Sequence, residues 1–177
     1  MVGLALATLV ALPYAGAQAP SSKPDSLIPP PGTYHYTLIA DSSDDIKQAV
    51  NQTVEHMSFI TRPVARGRLN KTNPTPQVVH IVVSTDTFSV TFDNGNPVAT
   101  PLGGDSVPYH SLITNEDYKA HYDPVADTAS QVIASKDGSR RNTFIFLDGG
   151  QRLRIHVTVS SPRLPGPLNY QLMFTKS

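Results

Sequence analysis

The apolar positions of this chain keep one period before the segment TNPTP (72–76) and another after it. Before it, Ile46, Ala49, Val50, Val54, Met57 and Ile60 recur at steps of three and four, which makes one apolar stripe on a helix. Asp41, Ser42 and Ser43 supply capping oxygens, Asp44 and Asp45 suit the positive N-terminal end, and Pro63 is expected to stop the helix. After TNPTP the period is two. VVHIVV (78–83) reads as a strand. TFSVTF (87–92) sets Phe88, Val90 and Phe92 on one face against Thr87, Ser89 and Thr91 on the other, the mark of a half-buried antiparallel strand. DNGN (93–96) follows as a hairpin turn with positive φ expected at Asn-Gly. PVATPL (97–102) is a short strand, and TNEDYKAHYDPVAD (114–127) a polar loop or irregular strand. TASQVIASK (128–136), RRNTFIFL (140–147) and QRLRIHVTVS (151–160), parted by DGS and DGG, form a meander. LNYQLMFTK (168–176) then puts Tyr170, Leu172 and Phe174 on one face. An additional strand is expected at YHYTLIA (34–40), ahead of the helix.

One helix followed by seven to nine short strands predicts a mainly β fold. Hairpin-linked strands neighbour one another, and an up-and-down sheet of this size tends to close because closure removes unpaired edges. The expected architecture is therefore an antiparallel meander closing into a small barrel, with the amphipathic helix covering one opening. An open curved sheet, or a two-sheet sandwich packed on the helix, is the alternative. The stretch SSPRLPGP (160–167) joins two good strands and is read as a rigid hairpin connection or a bend at a barrel corner, since its prolines cannot serve a central ladder. In its strand pattern over residues 34–177 the chain resembles the secreted lipocalin-like, or calycin, barrels. The lipocalin Gly-x-Trp signature has no counterpart, because the chain has no Trp. The resemblance implies a fold that encloses small apolar ligands.

The N-terminus changes the picture of where the protein works. Val2 to Leu12 is an apolar run followed by small residues, which reads as a secretory signal segment (1–17) cleaved near Ala17. It is too short for a bilayer span of roughly 20 residues. Residues 18–33, with three consecutive prolines, read as an extended leader, and 34–177 as a single β-rich domain. A secreted or periplasmic location follows as an expectation. With no Cys, packing alone must hold the fold. The 14 basic and 14 acidic residues balance, so the overall charge does not favour nucleic acid.

No catalytic motif, metal motif or cofactor fingerprint is present, so neither a cofactor nor a metal site is expected. The candidate ligand-binding residues are the apolar faces of the strands, Phe88, Val90, Phe92, Phe144, Phe146, Ile155, Tyr170 and Phe174, together with Arg163 in the proline loop. They point to a non-enzymatic binder of a small apolar or amphipathic molecule or lipid. Two alternatives stand beside it: a structural or interaction domain of the cell envelope with a packed core, and a small barrel enzyme using Tyr118, His121 and Asp123 from segment 109–123. Arg62, Arg66, Arg68 and Lys71 crowd ten residues without an acid. They either compensate the negative end of the helix or contact an anionic envelope surface. The row Arg152, Arg154, His156 alternates with Leu153, Ile155 and Val157 and is assigned to the wet face. His80 is likewise placed on a polar strand face.

Overall fold

Alternation from residue 78 onward becomes strand almost without loss. The computed structural model describes residues 28–124 and 128–177; the expected signal segment (1–17) and most of the expected leader (18–33) lie outside the described residues. Strand β1 (Gly32–Leu38) is followed by helices α1 (Ile46–Val54) and α2 (Arg62–Thr72). Then come β2 (Val78–Val83), β3 (Thr87–Phe92), β4 (Val98–Pro101), β5 (Val107–Ser111) and β6 (Glu116–Tyr122). The chain ends with β7 (Ala129–Ser135), β8 (Gly138–Leu147), β9 (Arg152–Ser160) and β10 (Leu168–Lys176). The ten strands form one antiparallel sheet in the order β4-β3-β2-β1-β10-β9-β8-β7-β6-β5. It curls into a nearly closed barrel, and the helices, inserted between β1 and β2, cover one end.

The expected single helix is two. Asp45 is the true N-cap of α1: its carboxylate accepts from Lys47 N at 2.8 Å and Gln48 N at 3.3 Å. Ser43 and Asp44 serve the sheet instead, because Met173 N donates to Ser43 Oγ and Gln171 N to Asp44 Oδ2. Ile46, Val50 and Val54 bury the predicted stripe in the same core as the barrel interior, with Ala49 and Met57 packed half-buried against it, although the helix itself ends at Val54. Ile60 is exposed in the turn between the helices. Pro63 starts α2 rather than ending α1. Its missing N–H costs nothing in the first turn of a helix, where that donor has no intrahelical partner. The basic segment is thus a helix, not a turn.

β2, β3 and β10 match the alternating segments residue for residue. In the turn after β3, positive φ falls on Asp93, not on Asn-Gly. Asp93 Oδ1 accepts from Gln77 N at 2.8 Å and Val78 N at 3.0 Å, which pins the start of β2. The polar segment 114–127 contains β6, paired with β5 from Val107↔Ala120 to Ser111↔Glu116. The loop between β9 and β10 is a hairpin connection, as expected from the two strands it joins.

The barrel is left open along one line, since β4 forms no ladder with β5. β4 lies against β6 there. Side chains stitch the seam. Gln131 of β7 is fully buried and donates from Nε2 to Phe88 O (3.0 Å), Val98 O (2.8 Å) and Thr100 Oγ1 (3.0 Å). Asn96 Nδ2 donates to His110 O at 3.3 Å.

Candidate ligand-binding site

The inward faces follow from register. Phe144 pairs with Ile155, Ile155 with Leu172, and Phe174 with Leu38, so these positions share the interior. Phe88, Val90, Phe144, Phe146, Ile155, Tyr170 and Phe174 all point inward and are buried; Phe92 points inward and is half-buried toward the helical end. Away from the helices the interior is filled by side chains. Phe88 and Phe144 meet edge to face with ring centroids 5.2 Å apart, and Tyr122 tilts against Phe88 at 5.8 Å. Tyr36 reaches the β8–β9 turn and donates to Gly150 O at 3.0 Å. Burial, with Tyr34 as a smaller cause, pushes the Tyr36 hydroxyl up to about 12, so it stays a neutral donor. Tyr36, Phe88, Phe144 and Phe174 are each 0% exposed, so no space the size of a water molecule adjoins them.

Under the helices the interior turns polar. The parity that carries Phe144 and Phe146 inward also carries Asn142 and Arg140 inward along β8. Arg140 Nε donates to Asn142 Oδ1 at 2.9 Å, and Nη1 to Oδ1 of Asn73 at 3.1 Å. Asn73, the C-cap of α2, is itself buried; Tyr170 OH donates to the same oxygen at 3.2 Å, and its own Nδ2 donates to Leu69 O at 2.9 Å. Tyr109 and Tyr118 face each other across β5 and β6 with centroids 6.5 Å apart. Burial pushes the Tyr109 hydroxyl upward while the Arg140 charge pulls the other way. Ile133, opposite Arg140 on β7, is half-buried.

Arg140 pairs with no carboxylate among the described residues, although the other ion pairs there engage Arg68, Arg141, Arg152 and Arg163. Its Nη2 has no protein partner among them either. A half-buried guanidinium with spare donors is suited to a carboxylate or phosphate group, which it can grip in parallel hydrogen bonds. Arg140 is the residue that sequence reasoning missed. The signal was available, since Phe144 and Phe146 fix which arginine of the Arg140–Arg141 pair must turn inward.

Other expected site residues are scattered. Arg163 lies on the outside, where Nη2 meets Asp137 Oδ1 at 3.3 Å. It sits in the loop beside an outer groove of about 420 Å³ lined by Lys136, Gly138, Ser161, Pro162 and Leu164, among others. Tyr118 faces inward but His121 and Asp123 do not, and Asp123 pairs with Arg141 at 2.7 Å, so the three do not converge. Among the described residues no three metal-ligating side chains cluster. The row Arg152, Arg154, His156 is on the outer wall, as alternation required. On α2, Arg62 Nη2 donates to Met57 O at 2.8 Å and Arg68 lies 3.8 Å from Glu116. Arg66 and Lys71 are exposed with no such partner among the described residues.

No protein-family model and no curated protein matches the chain. Solved structures do. An SAHS protein from Ramazzottius varieornatus aligns over 83% of this chain and 94% of its own, at 12% identity and a TM-score of 0.53. Fatty-acid-binding protein 1 of Echinococcus granulosus aligns over 82% and 96%, at 10% identity and a TM-score of 0.50. Identities this low speak to architecture alone, and the shared architecture is an antiparallel up-and-down β-barrel covered at one end by helices.

Proposed function

We propose that this chain is a non-enzymatic binding barrel for a small apolar molecule with an acidic head, exported to the periplasm or the exterior. The single observation that carries the reading is Arg140, an inward cation with no carboxylate partner among the described residues, at the mouth of an apolar barrel. The head would take the free donors of Arg140. The tail would lie against Ile133, Tyr109 and Tyr118, the half-buried upper wall, over a floor formed by Phe88 and Phe144. A structural neighbour described as a fatty-acid-binding protein supports this ligand class. The apolar run Val2–Leu12 supports export. Exposed Phe59, Ile60 and Val64 beside Arg66 and Lys71 support contact between the helical end and an anionic envelope surface.

The test is fluorescence titration of the delipidated chain with dansyl-undecanoic acid. We expect saturable binding that weakens about tenfold or more in Arg140→Met. Binding of the corresponding dansyl-undecanol should not change. Absence of saturable binding would leave the second reading, a packed structural domain. The specific observation favouring that one is the complete burial of Tyr36, Phe88, Phe144 and Phe174.

A further inference from the structure

His35 on β1 and His80 on β2 are direct register partners on the outer wall. Their neighbours Tyr36, Val79 and Ile81 point into the barrel and are fully buried, so both imidazoles stand outside; His35 is exposed and His80 half-buried. The ladder fixes how close they come. Leu38 N donates to Gln77 O at 2.9 Å, and these two residues share the β1–β2 register. Hydrogen-bonded and non-hydrogen-bonded pairs alternate along an antiparallel ladder, so His35 and His80 form a non-hydrogen-bonded pair. That is the kind with Cα atoms only about 4.5 Å apart and side chains nearest each other. The rings meet edge to face with centroids 4.6 Å apart, and each turns Nδ1 toward the Nδ1 of the other. On β3 the next residue in the row is Thr91, which carries no charge.

Two neutral imidazoles that keep their protons on the solvent side bring two lone pairs together here. That arrangement is repulsive unless a proton or a cation lies between them. We propose that His35 and His80 form a two-imidazole site for a borderline divalent metal ion of the Cu²⁺, Zn²⁺, Ni²⁺ class. Imidazole nitrogen suits these ions, with bonds near 2.0–2.1 Å. A small outward rotation of each ring, to an N···N separation of about 3.3 Å, makes room for a tetrahedral ion. Water completes the coordination, because the wall is open to solvent. The site is remote from Arg140 and does not rest on the proposed function. Sequence alone placed His80 only on a polar face; the register with His35 is what gives it a partner.

The test uses the full chain, stripped with a chelator and titrated with CuCl₂ by calorimetry. We expect one dominant equivalent bound. Each of His35→Gln and His80→Gln should lower the affinity about a hundredfold, because each single loses the gain from two ligands held at one spot, and the double variant should be at least as weak as either single. His156→Gln, an exposed histidine of β9, should leave it unchanged. Binding that persists undiminished in His35→Gln and His80→Gln would overturn the proposal. A readout without variants is ¹⁵N-resolved NMR of the wild-type chain with Zn²⁺. Shifts centred on the β1–β2 pair support the site, and shifts confined to other histidines overturn it.

Discussion

The two halves of the barrel interior are built on opposite principles. Away from the helices, Tyr36, Phe88, Phe144 and Phe174 fill the space with rings that leave no room for water. Beneath the helices, Arg140, Asn142, Asn73 and Tyr170 form a hydrogen-bonded polar layer, with half-buried Tyr109, Tyr118 and Ile133 around it. The same β8 strand supplies both, two residues at a time: Arg140 and Asn142 above, Phe144 and Phe146 below. A packed aromatic floor stabilises the fold through apolar area and dispersion. A cation held only by amide oxygens adds little stability and leaves capacity for a ligand. The difference teaches that close packing and unused hydrogen-bonding capacity are assigned to different ends of one strand.

The largest effect should come from the floor. Phe144→Ala should lose about 3–5 kcal/mol, because rings packed on all sides leave a cavity that cannot collapse. Urea unfolding measures it, and a loss below about 1 kcal/mol would break the contrast by showing the floor to be loose. Next is the seam. Gln131→Ala should lose about 1–3 kcal/mol, since the buried hydrogen bonds from Nε2 to Phe88 O, Val98 O and Thr100 Oγ1 go with it. Arg140→Met should lose about 1–2 kcal/mol, because it removes the donor of buried Asn142 Oδ1 while Asn73 Oδ1 keeps that of Tyr170. A large destabilisation there would show that Arg140 is structural. The smallest effect lies outside both halves. The Asp117 hydrogen bond raises the His110 pKa above that of an ordinary histidine. Its slight stabilising contribution is present below the unfolded-state value and is lost as pH rises through the folded one. An NMR titration should place the His110 midpoint above that of a histidine in an unstructured peptide.

Most of the fold was legible because alternation is a strong signal where turns bound it. β2, β3 and β10 could be read to the residue, and the faces of β9 were assigned correctly from Leu153, Ile155 and Val157. The helices were less legible. Met57 does pack against the core, but from the turn beyond α1, Ile60 only happens to fall in the same period, and Pro63 carries the same information at the start of a helix as after the end of one. β5 and β6 were obscured because their inward residues, Tyr109, Ser111 and Tyr118, are polar or amphipathic, which is what a half-wet wall requires. The apolar floor could be read from composition and period together. The polar layer could not, since Arg140 earns an inward position only from tertiary closure, and Asn73 reaches it from a helix that sequence had not resolved.

The seam is closed by side chains and not by a ladder, so β4 and β5 each keep one strand edge without a backbone ladder, where another chain could add a strand if the seam opened. Within those two short strands stand Pro101 and Pro108, residues that cannot offer an amide hydrogen to an incoming partner. A barrel that must keep a gap therefore carries its own guard against fibril-like association. Replacing either proline with valine would restore a donor and invite that pairing.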